Sequence, residues 1–305
     1  MDVRILDLDG SLAAQPRLVH GRGMIAAGDW GPRVRMACGF RRFRRFEAAL
    51  ADRLGREHDG SPQMTFIGSG DFHHVSLALV RRLREPFNLL VIDKHPDWMC
   101  GVPFLHCGTW LRHASLLPLA RRVFHVGGDL DFDNSYGWMA PWRQLRDGRI
   151  AVLPAIRRFR GRAWAGVHHE ALRPSPAEPT NRGRIEELLR PFRADLARHP
   201  LYVSLDKDVL RAEEAVVNWD SGYLTTAEVD HVLDVFSAAA RGRLAGMDVV
   251  GDWSPVRVRS ALGALFHLTE HPRLSIDSDH ATQVNESLNL RLIARTAQAA
   301  VPLAG

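Results

Sequence analysis

Lysine is almost missing from this chain: of 40 basic residues only two, Lys94 and Lys207, are lysines, and the rest are arginine. Cysteine is scarce too. Cys38, Cys100 and Cys107 are too few and too unevenly spaced for a disulfide framework or a zinc knuckle. No apolar run approaches the length of a transmembrane helix, so no membrane partner is expected. Residues 1–7 carry acids where a secretion signal needs a basic and then an apolar stretch, which makes the cytoplasm the expected location. Repeats and low-complexity linkers are also lacking. The 305 residues are therefore expected to form a single domain, 1–305, with a sizeable core.

The net charge is +5 and the pI near 9.6. The excess is arginine spread along the whole chain, and no nucleic-acid-binding motif accompanies it, so nucleic acid is not an expected partner. A general preference for arginine explains the composition but leaves the two lysines as exceptions. Both lie inside acidic clusters.

The first cluster follows the apolar run Leu89-Leu90-Val91-Ile92, which reads as a buried strand of a parallel sheet. At its end stands Asp93-Lys94-His95-Pro96-Asp97, three oxygen or nitrogen ligands within five residues. The second, Ser204-Leu205-Asp206-Lys207-Asp208, follows the apolar Leu201-Tyr202-Val203. In open α/β folds, ligands bind at the carboxyl ends of strands. Carboxylates with imidazole suit ions such as Mn²⁺ or Zn²⁺. The i, i+2 spacing of Asp206 and Asp208 puts both carboxylates on one side of an extended chain. A lone Asp-x-Asp more often caps a helix; two clusters with histidine point to metal. Bridging carboxylates are what a pair of divalent ions about 3.5 Å apart needs to screen their repulsion.

Strand-like runs recur at 3–8, 64–68, 88–93, 122–127, 149–155, 201–206 and 244–250. Helical patterns lie at 40–54, 75–85, 108–119, 182–198, 225–241, 256–268 and 280–300. The alternation predicts a three-layer α/β/α sandwich with a mainly parallel sheet. In 40–54, Phe40, Phe43, Phe46, Ala49 and Leu50 share one face. Residues 157–181, with Pro174, Pro176 and Pro179, read as a surface excursion, and Asp129, Asp131 and Asp133 as an acidic loop.

These motifs, in this order over roughly residues 64 to 255, resemble the ureohydrolases: arginase, agmatinase and formiminoglutamase. Asp93-Lys94-His95-Pro96-Asp97 is similar to the family's Asp-x-His-x-Asp, and Ser204-Leu205-Asp206-Lys207-Asp208 to its Ser-x-Asp-x-Asp. Gly70-Asp71-Phe72-His73-His74 loosely matches its glycine-rich loop with a ligand histidine. Either His73 or His74 fits that position; His74 is favoured for its closeness to the following helix. His106-Cys107-Gly108-Thr109 and Gly222-Tyr223-Leu224-Thr225 are weaker echoes. The resemblance implies two Mn²⁺ per chain, other divalent ions being admissible, held by His74, Asp93, His95, Asp97, Asp206 and Asp208. It further implies a hydroxide between the ions as nucleophile, hydrolysis of a non-peptide C–N bond in a small guanidino or amidino substrate, and a homo-oligomer. His106 is the expected proton shuttle.

The departures concern the substrate. Where the family has Asp-Val-Val-Glu, with a glutamate that receives a guanidinium, this chain has Asp248-Val249-Val250-Gly251 and an acid one residue late, Asp252. Either Asp252 replaces that glutamate or the substrate is not a guanidine. The lysines are expected either to pair with acids behind the site or to face the cavity. Two rival readings remain: a ureohydrolase-like protein with altered catalysis, and a haloacid-dehalogenase-type phosphatase with Asp7 as nucleophile and Asp9 as acid/base in Asp7-Leu8-Asp9-Gly10-Ser11.

Overall fold

Each apolar run expected as a strand forms one. The strands are β1 (Asp2–Asp7), β2 (Gly23–Ala26), β3 (Ala37–Cys38), β4 (Gln63–Gly68), β5 (Phe87–Ile92), β6 (Leu105–His106), β7 (Ala120–Val126), β8 (Ile150–Leu153), β9 (Leu201–Asp206) and β10 (Leu244–Val250). The computed structural model describes residues 1–55, 61–128, 135–156, 171–173, 175, 177–259, 261–271 and 275–299. Eight strands form one sheet in the order β2-β1-β4-β10-β9-β5-β7-β8, and every pairing in it is parallel. β3 and β6 make a small antiparallel pair.

Alternation along the central strands sorts side chains into two cores. Leu90 and Ile92 of β5 join Val203 and Leu205 of β9 on one face, under Ile185, Leu189, Val232, Phe236 and Leu292. These belong to the helices Arg182–Leu189, Thr226–Ala239 and Ser278–Ala299. Leu89 and Val91 point the other way, with Phe43, Phe46, Leu79 and Trp110. That layer is built from Phe40–Leu54, Ser76–Val80, Trp110–Ser115 and Trp142–Arg146. A period of two on a sheet covered on both faces gives a three-layer α/β/α sandwich. β5 and β9 are buried at every position.

Three expectations shift. Phe40 is 41% exposed, so the buried stripe of its helix is Phe43, Phe46 and Leu50. The helix expected over 182–198 breaks at a 3₁₀ segment, Arg190–Phe192, where Pro191 has no N–H to continue the ladder. Strand β2 was not expected: it is a four-residue, largely exposed edge strand. The acidic loop of Asp129, Asp131 and Asp133, and residues 157–170 of the proline-rich excursion, lie outside the described residues.

Candidate metal centre

Register fixes where the site falls. Val250 pairs with Gly68 on one side and Asp206 on the other, and Ile92 pairs with Leu205. The carboxyl ends of β4, β10, β9 and β5 therefore finish level, with Asp206 and Asp93 side by side. The parallel sheet thus brings together residues more than a hundred positions apart.

His73 Nδ1 lies 2.9 Å from Asp97 Oδ2, 3.2 Å from Asp93 Oδ2 and 3.5 Å from Asp206 Oδ2. His95 Nδ1 is 2.7 Å from Asp208 Oδ2. Two groups of ligand atoms result, each within 4.8 Å: His73, Asp93 and Asp206; and Asp93, His95 and Asp208. Asp93 is common to both. Backbone donors hold the acids: the His95 N–H donates to Asp93 Oδ1 at 2.7 Å, and the Asp208 N–H to Asp206 Oδ1 at 3.0 Å. The Trp110 indole N–H donates to Asp97 Oδ2 at 2.8 Å. Ser204 Oγ donates to Asp248 Oδ1 at 2.7 Å, so at 3.0 Å it accepts from His73 Nε2. That bond turns Nδ1 towards the carboxylates.

The crowding shows in the proton affinities. Burial, then Asp97 and Asp208, push the Asp93 carboxyl well above its usual range. Burial and Asp208 push Asp206 up to about 7. Asp208 moves the other way, because His95 stabilises its charge against burial. His73 is raised well above an ordinary histidine, because Asp93 and Asp97 outweigh the burial that opposes its charge. His73 Nδ1 and Asp93 Oδ2 are buried without a hydrogen bond of good geometry. Unmatched buried lone pairs among clustered carboxylates call for positive charge, and two imidazoles with four carboxylates fit divalent ions.

The histidine of the glycine-rich turn that stands among the carboxylates is His73, not the favoured His74. Gly70–Val75 is a 3₁₀ segment, in which side chains at i and i+3 eclipse and adjacent ones diverge. Gly70 faces the site: a Cβ there would lie 3.0 Å from Asp206 Oδ2. His73, three residues on, falls on that side. His74 instead lies against Phe43, ring centroids 6.0 Å apart. The polar group it faces is the Val34 carbonyl, but neither ring nitrogen reaches hydrogen-bond geometry, and burial lowers its pKa to about 3.

Asp252 is not open to a guanidinium. Its Oδ2 lies 2.7 Å from Lys207 Nζ, and its Oδ1 accepts from Gln15 Nε2 at 2.7 Å and Asn289 Nδ2 at 3.2 Å. Lys207, wholly buried, also donates to Asn289 Oδ1 at 3.2 Å. Burial lowers its pKa, against the pull of Asp252. Lys94 Nζ reaches the Ser221 carbonyl at 3.0 Å and Asp220 at 3.6 Å. His106, buried, stands in neither ligand group; its Nδ1 accepts from the Gly108 N–H at 3.0 Å and caps the 3₁₀ turn Cys107–Thr109. Asp7 and Asp9 serve a turn: Asp7 Oδ1 accepts from the Gly10 N–H, while Asp9 holds Ser11 and Ser254.

Sequence reasoning missed Asp71 and Trp219. Arg35 Nε donates to Asp71 Oδ2 at 2.6 Å, and Trp219 Nε1 to Asp71 Oδ1 at 3.0 Å. The half-buried Trp219 ring packs on His95, centroids 5.5 Å apart, and forms a wall beside the carboxylates. Trp219 carries no motif, and Asp71 belonged to a loop read only for its histidine.

The fold is that of the arginase-like ureohydrolases. The chain resembles arginase from Bacillus subtilis with a TM-score of 0.55 and 14% identity, covering 95% of this chain and 98% of that one. Agmatine ureohydrolase of Thermoplasma volcanium gives 0.53 and 13%, covering 97% and 89%. Formimidoylglutamase from Bacillus subtilis gives 0.53 and 13%, covering 99% and 88%. An uncharacterized protein of Thermotoga maritima is 26% identical over 193 residues, 63% of this chain; the match spans 59% of that relative's length. No protein-family model matches. Among the described residues, no helix is long and apolar enough to cross a membrane.

Proposed function

We propose that the chain is a divalent-metal-dependent hydrolase of a non-peptide C–N bond in a small amidino-type substrate. The observation that carries this reading is the pair of ligand groups sharing Asp93 at the carboxyl edge of the sheet. His73, Asp93 and Asp206, with Asp97 alongside, would hold one ion; Asp93, His95 and Asp208 would hold the other. Mn²⁺ is the proposed metal, since a carboxylate-rich set with two imidazoles suits it. Bound there, such ions supply Lewis acidity and acidify a water towards neutral pH.

The chain's own residues prepare the ligands. Ser204 takes the proton side of His73, leaving Nδ1 to coordinate, and Trp110 fixes Asp97. Trp219, held through its N–H by Asp71, shields His95 from solvent on one side. Gly251 and the engaged Asp252 favour a second reading at the level of substrate: a ureohydrolase-like protein with altered catalysis, whose amidino or related group is not received by a carboxylate at 251 or 252.

Metal content after purification with Mn²⁺, for wild type and Asp206→Ala, tests the proposal. Two ions per wild-type chain, lost in the variant, is the expected result, and near-zero metal in wild type overturns it. Screening guanidino, amidino and amide compounds for urea or ammonia release then separates the two readings of substrate.

A further inference from the structure

A second convergence of imidazoles lies outside the carboxylate cluster. His267 in the helix Ala261–Glu270 and His271 just beyond its end are four residues apart, the spacing that stacks side chains on one helix face. Their Nδ1 atoms are 3.0 Å apart, with the rings at 89° and centroids 5.0 Å apart. His271 is buried at its side chain, 4% exposed, and its Nε2 sits 2.7 Å from Asp71 Oδ1. The other Asp71 oxygen takes the Arg35 guanidinium, so Asp71 is a carboxylate and the His271 Nε2 carries a hydrogen towards it. With the hydrogen on Nε2, a neutral ring has its lone pair on Nδ1, the atom that lies 3.0 Å from Nδ1 of His267.

We infer that His267 and His271 form a two-imidazole site for a borderline transition ion of the Zn²⁺, Ni²⁺ or Cu²⁺ class, with Asp71 as the positioning residue that fixes the His271 tautomer. Two nitrogens each about 2.0–2.1 Å from one ion sit roughly 2.9–3.4 Å apart at tetrahedral to square angles, which spans the separation observed. An imidazole held from behind by a carboxylate is the arrangement that orients metal-ligating histidines. Imidazole-only donors select these ions over the harder Mn²⁺ and Mg²⁺ that suit the carboxylate centre. His267 is half-buried, which leaves the remaining coordination positions to water or an anionic ligand. Burial and the neighbouring His271 lower the His267 pKa, keeping it in the neutral, ligating form. The site stands on residues other than the six of the proposed hydrolytic centre, and its existence does not depend on hydrolysis.

The test is calorimetric titration of full-length, Mn²⁺-loaded protein with Ni²⁺, run on wild type, His267→Gln and, as a control on an exposed histidine, His280→Ala. The expected result is one Ni²⁺ site in wild type, unchanged in His280→Ala and weakened at least tenfold in His267→Gln. Equal Ni²⁺ binding in wild type and His267→Gln, or none in either, overturns the inference and leaves an N–H···N bond between the rings. Should His267→Gln not fold, electron paramagnetic resonance of Cu²⁺-loaded wild type decides. Hyperfine coupling to two imidazole nitrogens supports the site, and coupling to one or none overturns it. Wild-type Mn²⁺ content in Asp206→Ala would count against the hydrolytic centre alone.

Discussion

His73 and His74 are neighbours in sequence, equally buried, and opposite in environment. One nitrogen of His73 is held by Ser204 and the other faces three carboxylates; His74 faces Phe43 and has no hydrogen bond. His73→Ala is expected to abolish binding at one of the two ions. His74→Leu should keep both, at a stability cost below about 1.5 kcal/mol, since it removes an unsatisfied polar group from an apolar site. Metal analysis and urea melts of the two variants check this. The sequence left the choice open because a turn of period three is not visible in a six-residue stretch, whereas the aspartates, fixed at strand ends, were legible. For Lys207 the sequence offered pairing with acids behind the site or facing the cavity, and it could not name the partners, because Asp252 and Asn289 are remote in sequence. Lys207→Met leaves Asp252 buried without its cation and should cost about 3–5 kcal/mol. Adding Asp252→Asn should recover most of that loss in chemical denaturation. A third expectation concerns pH in metal-free protein. The folded-state pKa of Asp206, about 7, lies above its ordinary 3.8. Its stabilising share is thus fully present below about pH 4 and lost as pH rises through 7. Metal-free Asp206→Asn should therefore match wild type in melting temperature at pH 4 and exceed it at pH 8.

At the scale of elements, hydrophobic period carried most of the information. β5 and β9 announced themselves as unbroken apolar runs because both of their faces are covered. β2 was invisible because an exposed edge strand needs no such run. In Phe40–Leu54 the period placed Phe43, Phe46 and Leu50 inward, but Phe40, the first residue of the helix, stands at the exposed end of that stripe. Phe46→Ala should cost about 3–5 kcal/mol by leaving a cavity. Phe40→Ala, on the exposed end of the same stripe, should change stability by less than about 0.5 kcal/mol. Comparing the two midpoints in guanidinium checks the assignment of the face.

For the whole molecule, the proposed ligands come from β4, β5 and β9 and their following turns, so no contiguous piece of chain contains the site. The sheet runs from residue 2 to residue 250 without a break in its pairing order. We propose that residues 1–305 unfold as one unit, and one calorimetric transition is the expected outcome. Mn²⁺ at about a hundred times its dissociation constant should stabilise the fold by about 2.7 kcal/mol per site, raising that single transition rather than splitting it.

Gly251 sets a limit on what the backbone beside the site can carry. Its φ of +102° is a backbone shape that other residues rarely adopt. A Cβ there would come within 2.7 Å of both Asp206 Oδ1 and the Lys207 amide nitrogen. Any side chain placed at 251 would therefore have to displace the Asp206 carboxylate or the Lys207 backbone before it could reach a ligand. A carboxylate at this position requires the Lys207–Asp252 pair and the backbone around it to move first.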